Sequence, residues 1–102
     1  MININAAEIK ARMDAGEALH LVDVREPHEH AEFNIGGTLL PLGKILAMQT
    51  DDIDDWKNAE VICYCRSGQR SMQASLMLET FGFTDVKNLT GGMVGWKEKF
   101  GS

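Results

Sequence analysis

The sequence predicts an α/β domain with a mainly parallel central sheet and helices on both faces. Three observations carry that prediction. Apolar runs of strand length alternate with helix-length amphipathic segments along the whole chain, as in parallel sheets with helical crossovers. The 102 residues are 44% apolar and 25% charged, enough to bury one core without disulfides or metal. No internal repeat, low-complexity tract or linker interrupts the pattern, so residues 1–102 read as one domain.

Asn5 is a good N-cap, and Glu8 stands three residues on in capping-box position. A helix is therefore expected over 6–15, with Ile9 and Met13 on one face and Gly16 as its stop. Residues 19–24 form a mostly apolar run and predict a strand. Pro27 suits the first turn of a short helix over 27–33, broken by Gly36-Gly37. A short strand over 38–40 ends at Pro41. A helix is expected over 42–49, then a turn through the acidic stretch 51–56. Residues 60–64 are the second clear strand. The segment 69–81 is the strongest helix; its apolar residues surround the axis, with Met72, Ala74, Leu76, Met77, Leu78 and Phe81, so burial on most sides is expected. Gly82 ends it. A strand over 86–89 and a helix over 93–100 close the chain.

Charge and composition exclude several functions. A formal charge of −5 argues against nucleic-acid binding, which usually needs a basic face. The N-terminus lacks the basic and apolar regions of a secretory signal, and no apolar run reaches membrane-spanning length. A cytoplasmic protein that binds neither membrane nor nucleic acid is expected. The two cysteines, Cys63 and Cys65, are too few for a structural zinc site and too close to staple distant segments. His20, His28 and His30 have no companion ligand pattern and read as solvated side chains. Asp51, Asp52, Asp54 and Asp55 read as a solvated turn.

The chemistry concentrates in the loop Cys65-Arg66-Ser67-Gly68-Gln69-Arg70. Cys65 follows the 60–64 strand and precedes the 69–81 helix, at the carboxyl end of the sheet where α/β folds bind ligands. Free N–H groups at a helix start, the helix dipole, and Arg66 and Arg70 all favour thiolate over thiol. Gly68 lets the loop curl so that its amides converge. Cys65 is thus expected to be a nucleophile with a lowered pKa, forming a covalent intermediate without a separate general base. Cys63, two residues back on the strand, reads as a small core residue. Trp96 reads as packing, and Gly91-Gly92 as a helix-start turn.

These segments resemble the rhodanese sulfurtransferase family. Cys65 to Ser71 (CRSGQRS) looks like its active-site loop, residues 21–27 (LVDVREP) like its N-terminal motif, and residues 89–96 (LTGGMVGW) like its C-terminal one. Residues 33–38 (FNIGGT) resemble the family's GHIPGA segment, with Asn34 and Gly36 where His and Pro are common. The resemblance implies a rhodanese-like three-layer domain. It implies a Cys65 persulfide and a loop of Arg66, Ser67, Gly68, Gln69 and Arg70 that binds the transferred sulfur and an anionic donor. Asp23 and Arg25 would support the site. Thiosulfate or a similar donor is expected, because mercaptopyruvate users tend to carry Gly where Arg66 stands. The acceptor would be cyanide, a thiol or a protein. No cofactor or metal is expected, and the protein is expected to act as a monomer.

Three other readings share these residues. A phosphatase of the Cys-x5-Arg type needs one more residue: only four separate Cys65 from Arg70, and Ser71 stands where that Arg would be. A non-catalytic module of the same family would typically lack the cysteine. A sulfur-relay or sensor protein, taking sulfur from a partner protein, fits the same loop.

Overall fold

The computed structural model describes residues 1–101. Strands β1 (Ile2–Ile4), β2 (Leu21–Asp23), β3 (Thr38–Leu39), β4 (Glu60–Tyr64) and β5 (Asp85–Leu89) alternate with helices α1 (Ala6–Asp14), α2 (Pro27–Glu32), α3 (Leu42–Leu46), α4 (Gln69–Thr80) and α5 (Gly92–Phe100). A 3-10 helix over Asp51–Trp56 lies between α3 and β4. The sheet order is β1-β5-β4-β2-β3, and every pairing is parallel.

Period-two alternation along β4 divides the core into two layers. Val61, Cys63 and then Cys65 point to the side where Ile45, Ile53, Ala74 and Leu78 pack. Ile62 and Tyr64 point to the other, against Ile9, Met93 and Trp96. Sandwiched strands of this kind carry few polar side chains, which makes the buried Asp23 on β2 and Asn88 on β5 conspicuous. Trp96 is buried as expected.

Helix ends follow local chemistry. The Asn5 side chain accepts from the Glu8 amide at 2.9 Å and returns its own amide N–H to Glu8 Oε1 at 3.1 Å. The reciprocal bond thus runs between side chains, where a full capping box would use the Asn5 backbone. Gly16, at φ 81°, stops α1 as expected.

Three expectations about the elements need correction, and one strand has no counterpart in the sequence reading. β1 was not foreseen: it is three residues of edge strand with only Ile4 buried, defined by its pairing to β5 rather than by any local alternation. The strand expected over 19–24 is limited to Leu21–Asp23. α4 is not covered on most sides, since Met72 and Leu76 are 43% and 51% exposed. Its sheet-facing side is built of Ser71, Ala74 and Ser75 with Leu78, small residues that let the helix lie close to β4 and β5.

α3 stops at Leu46 rather than running to Gln49. Gln49 N–H donates to Lys44 O at 2.8 Å and Met48 N–H to Ile45 O at 2.9 Å, a Schellman closure. It places Met48 at φ 61°, a left-handed position that glycine ordinarily takes. The Met48 side chain is 70% exposed, so truncating it removes little packing. Met48→Gly is expected to stabilise the fold by about 0.5–1 kcal/mol. A higher urea midpoint at unchanged slope would show it; a lower midpoint would refute it.

Candidate active site

Cys65 sits where β4 ends and the loop to α4 begins, with 1% of its surface exposed. Its sulfur accepts from the amides of Gly68 at 3.0 Å and Ser71 at 3.4 Å. The Ser71 hydroxyl is 3.4 Å away. Burial opposes ionisation of the thiol, but the Ser71 hydroxyl and the amides of Ser71, Gly68 and Ser67 outweigh it, and the pKa falls below the ordinary cysteine value. Cys63 has no such cradle: burial pushes its thiol up to about 12. Two cysteines on one strand face thus differ in reactivity because only one lies at a helix start.

Gly68 takes φ 106°, which turns the loop so that its amide reaches the sulfur. The Gly91-Gly92 turn does more than start α5. From the first turn of that helix, Met93 N–H donates to Cys65 O and Val94 N–H to Arg66 O, both at 2.9 Å. A Cβ on Gly92 would stand 2.5 Å from the carbonyl oxygens of both Cys65 and Arg66. The start of α5 therefore clamps the backbone of the reactive loop. The sequence signal for this was the glycine pair itself, read only as a turn.

The two arginines of the loop differ. Arg70 makes a two-pronged ion pair with Glu29 on α2, at 2.8 and 2.9 Å. That pairing pulls Glu29 down to about 2 despite its partial burial. Arg66 is exposed and has no ion pair among the described residues. It borders an open cleft of about 580 Å³ beside the loop, whose walls include Phe33, Met93, Val94, Glu32 and Lys97. Ser67 and Gln69 are exposed beside it, whereas Gly68 is buried.

Asp23 is fully buried. It accepts from Arg25 through the backbone N–H at 3.0 Å, Nε at 2.9 Å and Nη2 at 2.8 Å, and lies 2.8 Å from His30 Nδ1. Arg25 also donates to Phe33 O. This cluster ties β2 to α2, and through Glu29 and Arg70 to the start of α4. His30 is thus half-buried and engaged rather than solvated, because α2 folds back over the end of β2. His20 likewise departs from the expectation, stacking on Trp56 at 4.3 Å; His28 is exposed. Ser71 and Asn88 are both buried; in the sequence Ser71 stands out only as the residue in place of a phosphatase Arg, and Asn88 not at all. Their types carry no signal until the fold brings Ser71 to the sulfur and Asn88 to Ser71.

Among the described residues, no group of three or more His, Cys, Asp and Glu is placed to hold a metal ion, and no helix is long and apolar enough to cross a membrane.

A parallel-sheet domain that offers a polarised cysteine from the carboxyl end of a central strand belongs to the class of α/β proteins with a thiol-bearing loop at a helix start. More narrowly, the chain belongs to the rhodanese family: the Rhodanese-like domain matches residues 5–99. A sulfurtransferase of Allochromatium vinosum is 37% identical over 98 residues, covering 94% of this chain and 89% of that protein. A Bacillus subtilis protein provisionally named a sulfurtransferase is 40% identical over 96 residues, with 92% and 88% covered. The crystal structure of a rhodanese-like domain protein from Staphylococcus aureus superposes with a TM-score of 0.81 at 31% identity, covering 94% of this chain and 91% of that one. The rhodanese-like fold expected from the motifs is the fold found, and the names of these relatives support a transferase.

Proposed function

We propose that the protein is a sulfurtransferase that carries sulfur as a persulfide on Cys65. The cradle of Gly68 and Ser71 amides around its sulfur is the observation that supports this most directly. The thiolate attacks the outer sulfur of thiosulfate or a similar anionic donor; a new S–S bond forms, the donor's S–S bond breaks, and sulfite leaves with the electron pair. An acceptor nucleophile (cyanide, a thiol or a protein) then attacks the terminal sulfur, and Cys65 leaves as thiolate. The same amides that hold the thiolate suit the anionic persulfide.

Arg66 is the loop cation open to the cleft and is assigned to the donor. Arg70, engaged by Glu29, contributes charge at longer range and shapes the loop. Ser67 to Gln69 supply backbone, and Asp23 and Arg25 hold the frame. Arg66→Ala is expected to raise the thiosulfate KM about tenfold, in line with loss of one charge-assisted contact, and Arg70→Ala about threefold. An unchanged KM in Arg66→Ala removes that residue from the donor site.

The direct experiment is intact mass after thiosulfate treatment. A gain of one sulfur atom localised to Cys65 is the expected result; an unmodified protein refutes the reading. Transfer from a partner protein remains the second reading. It is favoured by a Bacillus subtilis relative provisionally named a sulfur carrier protein, 32% identical over 97 residues, of which this chain spans 51%. Sulfur uptake from a loaded cysteine desulfurase, but not from thiosulfate, would select it.

A further inference from the structure

Asn88 is the one polar side chain in the buried part of β5, 2% exposed, between the sheet and the start of α4. Its Oδ1 accepts from the Ser71 hydroxyl at 2.5 Å. Its Nδ2 faces two acceptors, Asn3 Oδ1 at 3.4 Å and Gly68 O at 3.5 Å. Gly68 O, a backbone carbonyl that can only accept, sets the amide nitrogen on its side and the oxygen toward Ser71.

Ser71 has one hydroxyl proton and three acceptors within reach. Gly68 O lies at 3.2 Å, Asn88 Oδ1 at 2.5 Å and Cys65 Sγ at 3.4 Å. In the thiol state the bonds run in one direction: the Cys65 S–H donates to Ser71, and Ser71 donates to Asn88. In the thiolate state the sulfur has no proton to give, and the Ser71 hydroxyl can add a third donor to the Gly68 and Ser71 amides by turning its own proton toward it. It can do so only by leaving Asn88.

We propose that Asn88 is a positioning residue for Cys65, competing with the thiolate for the single hydroxyl proton of Ser71. The inference deepens the reading of Cys65 as nucleophile and rests on it. Its chemical sense lies in nucleophilicity, which falls as a thiol becomes more acidic. A loop with several converging amides would overstabilise the thiolate, and an acceptor that draws the Ser71 proton away offsets part of that. The other titratable and charged groups around Cys65 and its loop are Cys63 on β4, Arg66 in the loop, Arg70 on α4 with Glu29 of α2 paired to it, and, lining the cleft that Arg66 borders, Arg25, His28 and Glu32 with Lys97 and Glu98 of α5. β5 contributes the uncharged Asn88.

The test is the pH profile of Cys65 alkylation by iodoacetamide, with the modified residue located by mass spectrometry. Asn88→Leu keeps the approximate shape and removes the acceptor. Alkylation on the acid limb is expected to be about three- to tenfold faster, because Ser71 is freed to donate to the sulfur. Ser71→Ala alone should move the profile the other way. In the Ser71→Ala background, Asn88→Leu should change nothing, since the route between the two residues is gone. A general loosening of the fold would shift both backgrounds alike, and that outcome overturns the proposal, as does an unmoved profile in the Ser71 background. Should Asn88→Leu fail to fold, Asn88→Ala lacks the same acceptor and carries the same expectation. Alkylation reads the thiol without requiring sulfur transfer. Failure of the persulfide reading would appear instead as an absent mass gain with thiosulfate in the unaltered protein.

Discussion

Cys65→Ser is expected to abolish sulfur transfer, lowering the thiosulfate-to-cyanide rate by about 10⁴-fold or more, while leaving the fold intact. The substitution exchanges one atom. Serine oxygen can still accept from the Gly68 and Ser71 amides, now at 3.0 and 3.4 Å from the sulfur, and the side chain remains small enough for its buried place. What is lost is ionisation and polarisability: a hydroxyl stays protonated where the amides bring the thiol's pKa down, and oxygen cannot carry a persulfide. Cys63→Ser supplies the comparison. Cys63 is buried and its thiol is held up at about 12, so this variant should keep the transfer rate and lose only some stability from a polar group in the core. The pair of variants is decisive in both directions. Retained transfer in Cys65→Ser would sink the central claim, and loss in Cys63→Ser at unchanged stability would give Cys63 a chemical role the geometry does not suggest.

The asymmetry between these two cysteines was legible in the sequence because it depends on local order: one cysteine ends a strand, opens a loop and precedes a helix. The same holds for the glycine stop of α1, the Asn5 cap and the strand over 60–64, whose bounds match. What was not legible depends on contacts between distant segments. β1 exists because β5 offers it a partner. Met72 and Leu76 are exposed because small residues on the opposite face of α4 meet the sheet. Arg70 reads in sequence as a loop cation, yet Glu29, 41 residues earlier, engages it. His30 reads as surface until α2 brings it to Asp23. Motif resemblance supplied the family and the reactive residue, but it could not show how Ser71 meets the sulfur and Asn88 meets Ser71.

Gly92→Ala is expected to be the most damaging single-methyl change in the chain, destabilising by about 2–4 kcal/mol and slowing Cys65 alkylation as well. Two costs combine. Gly92 lies at φ 53°, where a side chain is disfavoured by about 1 kcal/mol. The added methyl also meets the Cys65 and Arg66 carbonyl oxygens at 2.5 Å, and both are backbone atoms that cannot rotate aside. Relief requires the start of α5 to lift from the loop, giving up the Met93-to-Cys65 and Val94-to-Arg66 hydrogen bonds, each worth about 1 kcal/mol net. Gly91→Ala separates the two costs. Gly91 has φ 77°, but a Cβ there meets only Gly95 Cα at 3.6 Å, an ordinary contact. It should lose about 1 kcal/mol and keep the alkylation rate. If the two alanine variants show the same urea midpoint and the same Cys65 reactivity, α5 does not clamp the loop and the glycine pair is a turn and nothing more. If Gly92→Ala alone slows alkylation, the amides that polarise Cys65 are held in place by a helix whose own hydrogen bonds go to the Cys65 and Arg66 carbonyls.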